Sequence, residues 1–131
     1  MRPWVLGPWH LALKADTMTT IYGIANCDTM KRARAWLDGH GVAYAFHDYK
    51  KAGIDETLVR AWVAELGWEA LVNRRGTTWR RLPESDREGL DSESAVRLMI
   101  EHPSLIRRPV LDTGEARHVG FTEDLYQELF A

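Results

Sequence analysis

The chain has 131 residues, 45% of them hydrophobic and 27% charged, with a formal net charge of -2 and a single cysteine. That is the length of one domain, with no charge excess to draw it to nucleic acid or an anionic membrane and no apolar run near the ~20 residues that cross a bilayer. One cysteine cannot close an internal disulfide, so a reducing cytoplasm is the expected setting.

Residues 1–17, MRPWVLGPWHLALKADT, form an apolar run broken by Pro8 and His10. They lack the clean core and small-residue cleavage site of a signal peptide and read as an N-terminal extension, with the domain spanning 18–131. Thr19–Ile24 is β-branched and aromatic, a central strand. A helix follows from Asp28 or Thr29, with Met30, Ala33 and Leu37 on one face; Gly39 and Gly41 end it. Val42, Tyr44 and Phe46 alternate with Ala43, Ala45 and His47, the pattern of a second strand. Asp55 caps a helix whose stripe is Leu58, Val59, Trp62, Val63 and Leu66, closed by Gly67. Between Trp68 and Leu90 the charged pieces WEALVNRRG and TTWRRL read as irregular. Asp91 and Ser92 open another helix, carrying Val96, Met99 and Ile100 and stopping at Pro103. Val110-Leu111 and Ala116–Val119, joined by Asp112-Thr113-Gly114-Glu115, read as a hairpin, and Thr122 caps a last helix with Leu125, Leu129 and Phe130 inward. This order predicts an α/β, thioredoxin-like fold: a four-stranded mixed sheet flanked by helices, with a helical insertion at about 55–102.

On that plan Cys27 sits where the first strand hands over to the first helix. The opening turn of a helix presents unpaired N–H groups and about half a positive charge, which favours thiolate over thiol. Lys31, Arg32 and Arg34 add positive charge nearby and Asp28 opposes it. Asn26, Asp28 and Thr29, beside Cys27, are candidate substrate-binding residues. The motif is C-D-T-M, and no second cysteine exists to resolve a mixed disulfide, so a thiol from outside has to do so. In LIRRPVL (105–111), proline after Arg108 favours an extended arginine on a rigid support, suited to clamp an oxyanion or carboxylate. RRGTTWRR (74–81) reads as a local anion-binding loop or a solvated face, and Asp112-Thr113-Gly114 as a turn. The five histidines show no metal-ligand spacing, and no metal is expected.

YGIANCDTMKRARAWL (22–37), LVNRRGTTWRRL (71–82), LIRRPVL (105–111) and VGFTEDLY (119–126) together resemble the ArsC/Spx family of arsenate reductases, Spx regulators and small thiol-reductase-type proteins, and the resemblance covers 19–131 in order. It implies a thioredoxin fold with an inserted helical subdomain, Cys27 as nucleophile, and Arg108 as the arginine before a cis proline. Where the arsenate reductases carry further arginines, this chain has Asn73, with Arg74 and Arg75 adjacent, and a segment around Gly120 without one. That departure favours the thiol-reductase branch, with Arg74, Arg75 and Arg108 binding substrate. It implies glutathione as co-substrate, a glutaredoxin as a possible partner, and no bound cofactor. The alternatives are true arsenate reduction and an Spx-like regulator that binds RNA polymerase. Met30 occupies the position that would complete the C-x-x-C switch of Spx proteins.

Overall fold

A computed structural model describes residues 19–131; the extension read over 1–17, and Met18 after it, lie outside the described residues. Strand β1 (Thr20–Gly23) leads to helix α1 (Asp28–Gly39), whose buried face is Met30, Ala33, Trp36 and Leu37. Trp36 joins the expected stripe because its large ring spans the gap to the C-terminal helix. Gly41, at φ 69, turns the chain back, and the amides of Gly41 and Val42 reach the carbonyls of Asp38 and Leu37 at 3.2 and 3.0 Å. Val42 is therefore still closing the helix. Strand β2 is Ala45–Asp48, shorter at its start than the alternation over 42–47 implied, although Val42, Tyr44 and Phe46 do all pack against the same core cluster.

Beyond β2 come α2 (Tyr49–Ala52), α3 (Glu56–Leu66), α4 (Trp68–Leu71), α5 (Thr77–Arg81), α6 (Glu84–Arg87), α7 (Ser92–Glu101) and a 3-10 turn at Pro103–Leu105. The segment expected to be irregular thus contains three short helices. Each is only a turn long, too short for an apolar period to appear, and buried Leu71, Val72 and Leu82 fix their places. Asp55 caps α3 through Thr57 N at 2.9 Å, and Asp91 and Ser94 form a reciprocal capping box at α7. Strands β3 (Val110–Asp112) and β4 (Arg117–Val119) and helix α8 (Glu123–Phe130), capped by Thr122, complete the fold.

The sheet order is β2-β1-β3-β4. β1 runs parallel to β2 and antiparallel to β3, and β3 is antiparallel to β4. Successive side chains of a strand point to opposite faces, and here they feed two separate clusters. Ile21 and Leu111 pack with α1 and Tyr126 of α8. Tyr22 and Val110 face the second cluster, built on Val59, Trp62, Val96 and Met99 of α3 and α7. Among the described residues no helix is long and apolar enough to cross a membrane.

Two segments distant in sequence meet beside this second cluster. Val72 and Ile106 form an isolated antiparallel bridge, flanked by Asn73 N to Leu105 O at 2.9 Å and Arg107 N to Leu71 O at 2.7 Å. This bridge fixes where the arginines on either side of it emerge.

Candidate active site

Cys27 is the N-cap residue of α1, with extended backbone angles of φ -151 and ψ 126, and its carbonyl accepts the first helical bond from Lys31 N at 2.9 Å. The placement follows from β1 ending at Gly23, where the absent side chain lets Met30 lie directly over the strand. Met30 is fully buried, so it pins the first turn of α1 while Cys27, one turn earlier, stays partly exposed.

Partial burial pushes the Cys27 thiol up, but the amide of Met30, the Arg108 guanidinium and the amide of Thr29 outweigh it and hold the thiol below its ordinary value. The sulfur makes no capping hydrogen bond; these donors act on the charge that appears when the thiol ionises. Burial pulls the half-buried Arg108 down, yet the neighbouring Cys27 and Tyr49 more than compensate and it stays firmly cationic. Arg108 Nη1 donates to Ser104 O at 2.8 Å and Ile106 O at 3.4 Å, which holds the guanidinium from behind. The Arg108–Pro109 peptide bond is cis. Beneath it, buried Tyr49 donates to Ile106 O at 3.4 Å. Burial drives this phenol up to about 12, against the pull of the Arg108 charge.

Cys27 and Arg108 border a cleft of about 420 Å³. Cys27 and Thr29 line it from the start of α1, and Val72 and Asn73 from the chain after α4. Its remaining lining among the described residues is four arginines, Arg74, Arg75, Arg107 and Arg108, with no acidic residue among them. Of the candidates read from sequence, Cys27, Thr29, Arg74, Arg75 and Arg108 therefore come together. Asn26 and Asp28 flank Cys27 in the chain, but they are exposed and lie outside the cleft lining. Sequence reasoning did not single out Val72 or Arg107 for the site. Arg107 carries no local signal beyond its place beside Arg108. Asn73 shapes the turn that presents Arg74 and Arg75, its Oδ1 accepting from Arg75 N at 3.0 Å, and Arg74 lies 5.4 Å over the Trp68 ring.

The Asp112-Thr113-Gly114 stretch is a hairpin turn, Gly114 N donating to Asp112 Oδ1 at 2.8 Å with Gly114 at φ 90. No group of three His, Cys, Asp or Glu among the described residues could hold a metal ion. The cleft offers one activated thiol and a concentration of positive charge, a combination that serves nucleophilic attack on an anionic substrate.

Comparison with known proteins places this architecture. The solved structure of the protein YffB (PA3664) superposes with a TM-score of 0.84 at 51% identity, covering 86% of this chain and 99% of that one. An arsenate reductase (ArsC) related protein from Brucella melitensis gives 0.71 at 48% identity, covering 87% and 95%. The global transcriptional regulator Spx of Streptococcus agalactiae is 31% identical over 109 residues, 82% of this chain and 79% of Spx. The ArsC family model matches residues 22–129, from β1 to the last turn of α8, and by that match, together with the shared thioredoxin-like fold, the chain belongs to the ArsC family.

Proposed function

We propose that the chain is a thiol reductase of the reducing cytoplasm, with a single nucleophilic cysteine and glutathione as co-substrate. The observation that carries this reading is Cys27 at the N-cap of α1, partly exposed, its thiol held down by Arg108 and the first-turn amides. Cys27 thiolate attacks one sulfur of a substrate disulfide, forms a mixed disulfide and expels the other half as thiolate. Glutathione thiolate then attacks the substrate-side sulfur of that mixed disulfide and frees Cys27. A second glutathione, directly or through a glutaredoxin, reduces the released glutathione adduct, so two thiols are oxidised to one disulfide as the substrate disulfide becomes two thiols. Arg108, with Arg74 or Arg75, orients the carboxylate or oxyanion of the substrate.

Arsenate reduction, with a covalent arsenic adduct on Cys27, and an Spx-like regulator that binds RNA polymerase are the competing readings. Against a dithiol switch stands Met30, fully buried in the core at the position where a second cysteine would be needed. The test is intact mass spectrometry of the native protein with excess oxidised glutathione, then reduced glutathione, followed by turnover with disulfide and arsenate acceptors. One adduct at Cys27, released by glutathione, with disulfide turnover is the expected result. A native protein that never takes up the adduct while the unfolded chain does sinks the reductase reading. Turnover with arsenate alone points to arsenate reduction, and an adduct without turnover in a protein that retains RNA polymerase points to the regulator.

A further inference from the structure

Among the described residues two arginines are paired with carboxylates. Arg60 pairs with Glu56 and Glu93, and Arg117 pairs with Glu65 and Asp112. Arg74, Arg75, Arg107 and Arg108, which all line the Cys27 cleft, have no carboxylate partner among the described residues. Four uncompensated guanidiniums repel one another, and the fold holds them together nonetheless. The antiparallel bridge between Val72 and Ile106 is responsible. The chain leaves it in opposite directions toward Arg74-Arg75 and toward Arg107-Arg108, so guanidiniums reach the cleft from both segments.

Arg107 is built into this arrangement. Its amide donates to Leu71 O at 2.7 Å, which anchors its backbone beside the bridge. Its guanidinium lies against Gly120, where an added Cβ would stand 3.8 Å from Nη2. Gly120 is at φ 87, a conformation that favours glycine, and its amide is tied to Pro109 O at 2.9 Å. In the reductase reading Arg108, with Arg74 or Arg75, meets the anionic group nearest the sulfur, which leaves Arg107 with the other of that pair free for another.

We propose that Arg107 is a substrate-binding residue and that, with Arg74 or Arg75, it selects disulfides bearing a second anionic oxygen group beyond the one met by Arg108. This rests on the reductase reading of Cys27. Among the described residues the cleft has no carboxylate to receive an ammonium, so it favours an acceptor with net negative charge over a zwitterion or a cation.

The experiment measures stoichiometric exchange of the full-length protein with three small disulfides: dianionic 3,3′-dithiodipropionate, neutral 2-hydroxyethyl disulfide and dicationic cystamine. The dianion is expected to react about tenfold faster than the neutral compound, with the dication slowest. Arg107→Ala lowers the dianion-to-neutral ratio about threefold. Arg81→Ala, the same charge change at an exposed site outside the cleft, leaves that ratio alone. Arg107→Lys restores only part of it, because a point charge lacks the planar fork, and thermal melts of both Arg107 variants check folding. Equal rates for dianion and neutral compound, or the same change in ratio from Arg107→Ala as from Arg81→Ala, overturn the proposal and leave the reductase reading standing. No exchange with any of the three overturns the reductase reading, and this proposal with it.

Discussion

Replacing Gly23 by alanine tests how the end of β1 sets the position of Cys27. A Cβ at Gly23 would stand 2.3 Å from Met30 Sδ and 2.7 Å from Met30 Cε. Comfortable contact begins near ~3.5 Å, so the thioether has to retreat by roughly an ångström or more. Met30 is fully buried among Ile21, Ala33, Leu37 and Leu111, and close packing leaves it no free volume. The strain passes to the first turn of α1. Overpacking of this kind costs about 1–3 kcal/mol, offset by about 0.4–1 kcal/mol because alanine stiffens the unfolded chain. Met30→Ala alone costs about 2–5 kcal/mol. The three nearest atoms to the added Cβ all belong to Met30, so in the Met30→Ala background Gly23→Ala becomes neutral or stabilises by about 0.5 kcal/mol. Urea unfolding of the four proteins in the cycle measures the coupling, expected at about 1–3 kcal/mol. Iodoacetamide alkylation at neutral pH reads the same strain at the site: Gly23→Ala slows it as Cys27 moves against the Met30 and Thr29 amides. An equal cost for Gly23→Ala in both backgrounds refutes the reasoning.

Two further predictions concern protons. The rate of Cys27 alkylation against pH should titrate below an ordinary thiol, and Arg108→Gln should move that titration upward, since Arg108 is among the groups that hold the thiol down; a profile insensitive to Arg108→Gln removes the guanidinium from the account. Because the folded-state value is depressed, Cys27 contributes stability above the unfolded value that is lost as pH falls through the folded one. Tyr49 runs the other way: its phenol rises from 10.0 to about 12 in the fold, so the stabilisation is complete below pH 10 and disappears as pH climbs toward about 12, some 2–3 kcal/mol in all. Denaturation midpoints from pH 8 to 12 should therefore fall more steeply for the native protein than for Tyr49→Phe, and parallel curves would show that Tyr49 is not responsible.

Much of the fold was legible because local chemistry and tertiary packing agree. The β-branched run at 19–24 contains the central strand. The Met30, Ala33, Leu37 stripe is the buried face of α1. Asp55, Asp91 and Thr122 cap helices through the side-chain bonds their types suggest. The failures have a common physical origin. The start of β2 was misjudged because Val42 is claimed by the carbonyl of Leu37, a backbone contact that alternation of side chains does not report. The helices at 68–87 are short and charged, and they depend on Leu71, Val72 and Leu82 being buried by residues far away in sequence. Within the site, Arg108 was marked by the proline after it. Arg107 was not, because its place in the cleft depends on the bridge between Ile106 and Val72 and on contact with Gly120, neither of which leaves a trace in the neighbouring residues.

The pairing of β1 with β3 has a consequence for the newly made chain. Thr20 lies opposite Asp112, so the strand that precedes the nucleophile cannot gain its β3 partner until most of the polypeptide has been synthesised. At about 5–20 residues per second, the stretch separating Cys27 from Arg108 takes several seconds to synthesise. During that interval the thiol has no Arg108 guanidinium beside it. Non-local strand pairing is also the slow part of folding. The fold therefore supplies the Arg108 share of the thiol's activation only with the closing of the sheet, so a truncated product ending before Arg108 would carry Cys27 with the first-turn amides alone to hold its thiol down.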